Sequence, residues 1–309
     1  MSSTLARTAA PRRQVVHALR VRTAANRAAS TASASIPTQR LALSVVEGPH
    51  EPPLATKTLP AYFAEDILPL HAGRPALICR RERPHAHGGP RAPDSNLGVD
   101  THLAWSFGEL DEHVRALARG LVALGVRKGD RVGVIMGNNS AYAMLQWACA
   151  RVGAILVTLN PAYRLPELVK TLSLVDVKHL FLVPRIRSSA YVSMFAEAFP
   201  ALASSKPGDI QEPALPALRN LVVVDDMPNL QDFQAEVGDV RPAVDFREVL
   251  VWREHSAEEK VVGGLEASLH YRDVMNLQFT SGTTGDPKAV SVMLSPQVLQ
   301  LTDIDPTHS

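Results

Sequence analysis

Residues 130–183 read DRVGVIMGNNSAYAMLQWACARVGAILVTLNPAYRLPELVKTLSLVDVKHLFLV, and this stretch decides the fold. Three apolar runs (DRVGVIM, AILVTLNP and KHLFLV) have the length of strands, and two segments with helical spacing separate them. Asn139 or Ser140 is the expected N-cap of the first helix, and Gly153 is its terminal glycine. Pro166 opens the second helix at a position where a missing N–H costs nothing. Near-continuous apolar strands that alternate with helices predict an α/β fold, with a parallel sheet covered on both faces.

The segment before this stretch adds another helix and a strand. Ser106 is followed three residues later by Glu109, which predicts a capping box at the start of a helix that ends at Gly125. Further upstream, we expect a short helix closed by Pro69 and then a strand near Ala76 to Cys79. The Pro- and Gly-rich residues 81–100 predict an exposed loop, in which His85 and His87 are solvated and form no metal site.

After the stretch the pattern is weaker. We predict a helix in SSAYVSMFAEAFPAL, a Pro-rich linker, and a strand in RNLVVVDD at residues 219–226. Residues 227–270 are expected to be irregular apart from a short helix at VDFREVLVW.

The composition excludes several classes of protein. The 309 residues are 46% hydrophobic and 20% charged with a net charge of +1, which predicts a globular protein without affinity for nucleic acid or acidic membranes. No apolar run reaches the roughly 18 residues that a transmembrane helix needs. Two scattered cysteines, Cys79 and Cys149, form neither a disulfide framework nor a metal site. The oligomeric state is left open.

The first 46 residues contain seven arginines and no acidic residue. Arg13, Arg20 and Arg27 recur every seven residues in a segment rich in Ala, Ser and Thr, a pattern typical of an organelle transit peptide. We therefore predict a mitochondrial matrix location and exclude residues 1–50 from the fold. The alternatives are a disordered basic tail and a peroxisomal or cytoplasmic protein.

Residues 277–288, LQFTSGTTGDPK, run from a strand into a turn rich in glycine and hydroxyl groups. Gln278 and Phe279 are the expected last residues of the strand. Glycines allow the backbone to approach a ligand closely, successive amides form an anion-binding nest, and hydroxyls suit Mg²⁺. The phosphate-binding candidates are Thr280, Ser281, Gly282, Thr283, Thr284, Gly285 and Lys288.

Two alternatives to this interpretation are weaker. A Walker A loop needs Ser or Thr after its lysine, whereas Ala289 follows Lys288. A plain Ser/Thr/Gly turn with an incidental lysine would not require eight consecutive positions of one motif.

TSGTTGDPK resembles the phosphate-binding signature of the adenylate-forming superfamily, which includes acyl-CoA synthetases. Two upstream segments, LGVRKGDRV at residues 124–132 and GAILVTLNP at residues 153–161, are similar to the same family's N-terminal region. NPAYR and QFTSGTTG most resemble the mitochondrial medium-chain fatty acyl-CoA synthetase branch. The resemblance covers about residues 57–290.

The resemblance implies a two-step ligase that uses ATP, Mg²⁺ and CoA. A carboxylic acid and ATP give an acyl-adenylate and pyrophosphate, and the CoA thiol then displaces AMP. Residues 280–285 would wrap the β- and γ-phosphates, and Lys288 would neutralise charge on the leaving pyrophosphate. The family's remaining catalytic motifs have no counterpart in this sequence, so we assign no complete set of catalytic residues and no metal ligand.

The sequence departs from the family pattern after Lys288, where Ser295-Pro296 stands in place of the expected Thr/Ser-His. We predict a transit peptide at 1–50, a partial AMP-binding N-terminal domain at 51–290, and an unrelated tail at 291–309. The chain alone would then be a truncated, inactive synthetase with an exposed apolar sheet edge near Leu277 to Thr280. The alternative is a non-catalytic module that binds a nucleotide or a partner; a complete small ATPase is disfavoured because no Walker pattern exists.

Overall fold

A computed structural model describes residues 56–92, 95–227, 229–238, 240–280 and 288–293. The strands are β1 (Pro75–Cys79), β2 (Leu103–Ser106), β3 (Arg131–Ile135), β4 (Ile155–Thr158), β5 (Val177–Leu182), β6 (Arg185–Ile186), β7 (Ser189–Ala190), β8 (Asn220–Val223), β9 (Ala243–Asp245), β10 (Val274–Thr280) and β11 (Lys288–Met293). The α-helices are α1 (Leu59–Tyr62), α2 (Leu68–His71), α3 (Phe107–Ala123), α4 (Ser140–Val152), α5 (Leu165–Leu174), α6 (Tyr191–Ala198), α7 (Pro200–Ser204), α8 (Leu230–Val237), α9 (Phe246–Val249) and α10 (Ala257–Ala267). A π-helix (Phe63–Ile67) joins α1 to α2, and a 3-10 segment (Ser95–Gly98) precedes β2.

Seven strands form the central sheet in the order β11-β10-β4-β3-β5-β8-β9. Strands β10, β4, β3, β5, β8 and β9 are parallel, and β11 is antiparallel to β10. A mostly parallel sheet joined through helices confirms the predicted α/β class. Two small antiparallel pairs, β1–β2 and β6–β7, lie outside this sheet.

The sheet divides the apolar side chains into two buried clusters, one on each face. Side chains that alternate along a strand point to opposite faces, so Val132 joins the cluster with α3, α4 and α10 while Ile135 joins the cluster with α5 and α6. In β5, Phe181 and Leu182 divide in the same way. The central strands are therefore covered on both faces, as predicted.

The ends of the predicted helices confirm the local sequence signals. Glu109 N donates to Ser106 Oγ at 3.2 Å and Ser106 N donates to Glu109 Oε2 at 2.8 Å, which completes the capping box of α3. Asn139, rather than Ser140, caps α4, because its Oδ1 accepts from Tyr142 N. Gly153 ends this helix in the left-handed region with φ +70°.

Pro69 does not close the first helix, so that expectation was wrong. The chain stays helical as far as His71, with a π turn between α1 and α2. Leu68 N donates to Phe63 O five residues back, and this wider turn places Pro69 in the first turn of α2, where its missing N–H removes no helical bond.

Residues 227–270 were also predicted wrongly, because most of the described part is regular. It contains α8, β9 and α10 in addition to the expected short helix α9. The sequence of α10 includes Gly263 and Gly264, which weaken an isolated helix. One local and one tertiary contact offset this weakness: Ser256 caps the helix, and Glu259 pairs with Arg119, which is buried on α3.

The predicted exposed loop at 81–100 is only partly exposed. His87 is buried and contacts Trp105 and Phe246, whose ring centroids lie 5.8 and 5.3 Å from its own. Asn96 is buried as well, because its Oδ1 accepts from Ala104 N at 2.7 Å and its Nδ2 donates to His102 O at 2.8 Å. Side-chain bonds to the backbone therefore hold this loop against the core.

Candidate functional site

Two of the phosphate-binding candidates lie where β10 ends and β11 begins. Thr280 ends β10 one residue beyond the predicted strand end, Lys288 begins β11, and the two residues are paired across the ladder. Both are exposed. Ser281, Gly282, Thr283, Thr284 and Gly285 fall between them and lie outside the described residues.

The hairpin opens at the carboxyl edge of the parallel sheet. β10 is parallel to β4, with Gln278 opposite Thr158, so the segment after Thr280 leaves the sheet on the same side as the loop after β4. Open α/β sheets bind ligands outside the carboxyl ends of their strands. Thr280 and Lys288, the described residues on either side of the hydroxyl- and glycine-rich segment, therefore lie at the edge where a ligand is expected.

A cavity of about 780 Å³ lies at the same edge, beside the carboxyl end of β4. Its walls are the loop at 160–165, which includes NPAYR, and the β6–β7 turn at 186–190. Asn160 shapes the first wall: its Oδ1 accepts from Ala162 N at 2.9 Å, and its carbonyl accepts from Tyr163 N at 3.0 Å. The Tyr191 hydroxyl donates to Pro161 O and ties the loop to α6. The wall at 160–165 is therefore held by hydrogen bonds within the loop and by one from α6.

Two arginines give this cavity a positive lining. Arg164 and Arg187 are exposed, and neither forms a salt bridge within the described part of the chain. Arg187 also has φ +52°, a left-handed conformation that non-glycine residues adopt rarely and that concentrates at functional sites. The sequence analysis assigned neither residue to a site: Arg164 is the last residue of NPAYR, which was used only as a sign of resemblance, and no quoted motif includes Arg187.

A second polar cluster surrounds the first residue of α4. Ser140 N donates to Glu82 Oε1 at 2.9 Å, and the Ser140 hydroxyl donates to Glu82 Oε2. His87 Nε2 lies 2.6 Å from Ser140 Oγ, and because that hydroxyl already donates to the carboxylate, His87 is the donor in this contact. Ser140 is fully buried. The cluster fastens the 81–92 loop to the start of α4, which is why His87 is not solvated.

The electrostatics of this cluster favour an ionised carboxylate. Burial raises the pKa of Glu82, but hydrogen bonds from His87 and Ser140 outweigh it, so the pKa lies below its usual value. Burial and the neighbouring Glu82 raise the pKa of the Cys79 thiol to about 12, which makes that cysteine unreactive. Sequence spacing could not reveal the cluster, because Ser140 is 53 positions from His87 and 58 positions from Glu82.

A profile of the AMP-binding enzyme family matches residues 83–302, and the chain belongs to this family. It is 34% identical over 189 residues to the acyl-CoA ligase sidI of Aspergillus fumigatus. The matched segment covers 61% of this chain and 29% of that protein. It is 31% identical over 204 residues to the mitochondrial medium-chain acyl-CoA ligase ACSF2 of Macaca fascicularis. This second match covers 65% of this chain and 31% of that protein. The chain thus spans about 30% of the length of these relatives.

Among solved structures, the anthranilate CoA ligase AuaEII in complex with anthranoyl-AMP is similar, with 18% identity and a TM-score of 0.46. That match covers 77% of this chain and 35% of the other. Within the described residues, no helix has the length and apolar character needed to cross a membrane. No group of three or more His, Cys, Asp or Glu side chains suited to a metal ion occurs in the same part of the chain.

Proposed function

We propose that this chain supplies the ATP-phosphate-binding part of an acyl-CoA ligase. In this reaction ATP activates a carboxylic acid as its adenylate, and CoA then takes the acyl group. Residues 280–285 would hold the β- and γ-phosphates through backbone amides and hydroxyls, and the same hydroxyls would suit Mg²⁺, which would offset phosphate charge. Lys288 would stabilise the charge that develops on the leaving pyrophosphate.

One observation carries this proposal: Thr280 and Lys288 are paired at the base of a hairpin that opens at the carboxyl edge of the sheet. The pairing brings the single positive charge of Lys288 next to the start of the hydroxyl- and glycine-rich segment. Arg164 and Arg187 add positive charge to the cavity near β4 at the same edge. A polyanion such as ATP meets complementary charge there, and charge-assisted hydrogen bonds contribute about 1.5–3 kcal/mol each.

The acid is proposed to be a fatty acid of medium length, because NPAYR and QFTSGTTG resemble that branch and several relatives are medium-chain acyl-CoA ligases. The same relatives are named mitochondrial, which together with the arginine-rich first 46 residues supports a transit peptide and a matrix location. Since the chain spans about 30% of these relatives, we propose that it binds ATP without forming acyl-adenylate by itself.

Titration calorimetry with ATP and Mg²⁺ tests the phosphate site. We expect Lys288→Ala to weaken binding by roughly 10- to 100-fold, the loss of one charge-assisted contact, and Lys288→Arg to weaken it less. Lys260→Ala is the matched control, because Lys260 is an equally exposed lysine on α10. Equal affinity of the Lys288→Ala and Lys260→Ala proteins would remove Lys288 from the site.

Pyrophosphate exchange into ATP, with octanoate as the acid, tests whether the chain acts alone. We expect no octanoate-dependent exchange above that of a Lys288→Ala protein. Exchange that depends on octanoate and is lost in Lys288→Ala would show that the chain forms acyl-adenylate by itself, and would refute the proposal of an inactive chain while supporting the phosphate site.

A further inference from the structure

Two buried polar side chains meet near the amino edge of the central sheet, away from the edge that carries the candidate phosphate site. His179 on β5 and Asn220 at the start of β8 are neighbours in the parallel ladder. They are 3% and 2% exposed. Asp130, which immediately precedes β3, lies beside the histidine. The proposed function uses none of these residues.

The hydrogen bonds of Asn220 fix the proton on His179. Asn220 Nδ2 donates to the Leu124 carbonyl at 3.2 Å and to His179 Nδ1 at 2.9 Å. Because an amide nitrogen can only donate, Nδ1 is the acceptor and the neutral ring carries its proton on Nε2. Leu124 directly follows α3. The asparagine therefore joins the end of α3 to β5 and β8, and this arrangement requires a neutral His179.

The neutral arrangement does not use all the hydrogen-bonding atoms of the cluster. Neither His179 Nε2 nor Asn220 Oδ1 has a hydrogen-bond partner in the part of the chain that the structure describes. Nε2 lies 3.7 Å from Asp130 Oδ2, which is beyond hydrogen-bond distance. Buried polar atoms are normally paired, so the cluster has one donor and one acceptor in reserve.

Protonation of His179 changes which arrangement is favourable. With protons on both ring nitrogens, Nδ1 faces the Asn220 Nδ2 donor at 2.9 Å, and two donors at this distance repel each other. A half-turn of the amide exchanges Nδ2 for Oδ1, which accepts from Nδ1. The same turn brings Oδ1 to the Leu124 carbonyl, which can only accept, so the bond to the end of α3 is lost.

The charged groups around His179 decide when this change occurs. The carboxylate of Asp130 favours the imidazolium, whereas the charge of Lys178 opposes it. Lys178 Nζ and Arg127 N donate to that carboxylate at 2.5 and 3.0 Å, and the contacts from α3 and β8 are uncharged. Burial outweighs the attraction of Asp130 and lowers the pKa of His179 below its ordinary value near 6.5. The neutral arrangement is therefore the one present at pH 7, and acid produces the other.

We propose that His179 and Asn220 form an acid-sensitive switch that controls the attachment of the end of α3 to the sheet. The neutral imidazole orients the Asn220 amide toward Leu124, and the helix end is held. The imidazolium reverses the amide, and the helix end is released from β8. The change acts on the connection from α3 to β3 at the amino edge of the sheet.

Amide hydrogen exchange and the ring nitrogen shifts of His179, both followed by NMR from pH 7.5 to pH 5, test the switch. This range stays above the pKa of His113, which is about 4. As His179 protonates, the protection factors of residues 124–126 should fall by roughly 10-fold, the loss of one hydrogen bond, while those of β3 and β5 should not change.

Two substitutions sharpen the test. In Asn220→Asp a carboxylate accepts from Nδ1, so His179 should be protonated, and residues 124–126 poorly protected, already at about pH 7. In His179→Gln the protection of the same residues should not depend on pH. His270→Gln is the matched control, because His270 is an exposed histidine outside the cluster, and it should behave as the wild-type chain.

Several outcomes would overturn the proposal. One is a neutral His179 that carries its proton on Nδ1 at pH 7.5, since Asn220 would then not be its donor. Another is protonation of His179 without a fall in protection at 124–126, or an equal fall in the His179→Gln protein. A ring that stays neutral down to pH 5 in both the wild-type and Asn220→Asp chains also overturns it, as does an equal loss of protection in β3 and β5.

Discussion

The central strands β3, β4 and β5 and the hairpin β10–β11 have similar sequences but different surroundings. GVIM in the centre and AVSVM at the edge are both near-continuous apolar runs. Val132 and Phe181 are fully buried in the centre, whereas Val290 is 46% exposed at the edge. The difference shows that an apolar sequence makes a strand suited to burial. Whether its side chains are buried depends on the elements that pack against it.

The comparison also separates stability from binding. In the centre, each apolar side chain contributes to folding, because water is excluded from both faces of the sheet. At the hairpin, the same type of side chain contributes less to the folded chain, because Val290, Val292 and Met293 are exposed. The residues that matter most for stability and those that matter most for function are therefore expected to differ.

We expect the largest difference in the free energy of unfolding between the Phe181→Ala and Val292→Ala proteins. Phe181 is fully buried in β5, so its truncation should lower the free energy of unfolding by about 3–5 kcal/mol through lost burial and a cavity. Val292→Ala should change it by less than about 0.5 kcal/mol, because the side chain is exposed. Urea denaturation measures both, and a similar loss in the two variants would contradict the difference between the regions.

The Gly120→Ala and Gly263→Ala proteins compare a closely packed helix position with an open one. A Cβ at Gly120 in α3 would overlap the backbone carbonyl of Val249, so the two segments must separate, at a cost of about 3 kcal/mol. Nothing lies within 4 Å of a Cβ at Gly263, and alanine there should stabilise α10 by about 0.5–1 kcal/mol. Thermal unfolding should show shifts of opposite sign, and a neutral Gly120→Ala would indicate looser packing of α3 than described.

His113 should make the stability of the buried region depend on pH. Burial lowers the pKa of His113 to about 4, while the imidazole has its ordinary value near 6.5 in the unfolded chain. The unfolded state therefore binds more protons between these values, and stability should be complete above about pH 6.5 and fall as the pH drops to 4. The loss should be on the order of 2–3 kcal/mol.

Trp105 stacks on His113, with the two ring centroids 3.8 Å apart. The substitution His113→Phe keeps an aromatic ring against Trp105 and removes the titrating group. Denaturation at pH 7 and pH 4.5 should show a smaller difference for this variant than for the wild-type chain. His179 is also buried with a lowered pKa and remains in both proteins, so a residual pH dependence is expected in each. If the free energy of unfolding of His113→Phe changed between pH 7 and pH 4.5 as much as that of the wild-type chain, His113 would be excluded as the source of the pH dependence.

Local signals in the sequence predicted much of the fold. The capping box of Ser106 and Glu109, the cap at Asn139 and the terminal Gly153 mark helix ends, because these residues satisfy or relax the backbone within one turn. Continuous apolar runs predicted the parallel sheet. The prediction at Pro69 was wrong because a π turn precedes this proline. The wider turn places Pro69 in the first turn of α2, where the proline does not end the helix.

The remaining features depend on contacts between distant residues. α10 contains two adjacent glycines and is held in place by the ion pair of Glu259 with Arg119, which is 140 positions away. His87 stands in a Pro- and Gly-rich segment and is buried because Ser140 lies beside it. For the candidate site, the motif predicted which residues to consider, and the sheet order showed that the hairpin shares an edge with the cavity lined by Arg164 and Arg187.

Glu82 has a consequence for where this sheet can receive a nucleotide. The chain passes from β3 to β4 on one side and then to β5 on the other, so the point where the strand order reverses lies between β3 and β5. In doubly wound proteins, the helix that starts there offers its free amides to a phosphate. Here that helix is α4, and the carboxylate of Glu82 already binds its first amide. The Glu82 carboxylate thus occupies the place that a phosphate would take at the start of α4, which supports the proposed phosphate site at the hairpin of β10 and β11, two strands away from β3.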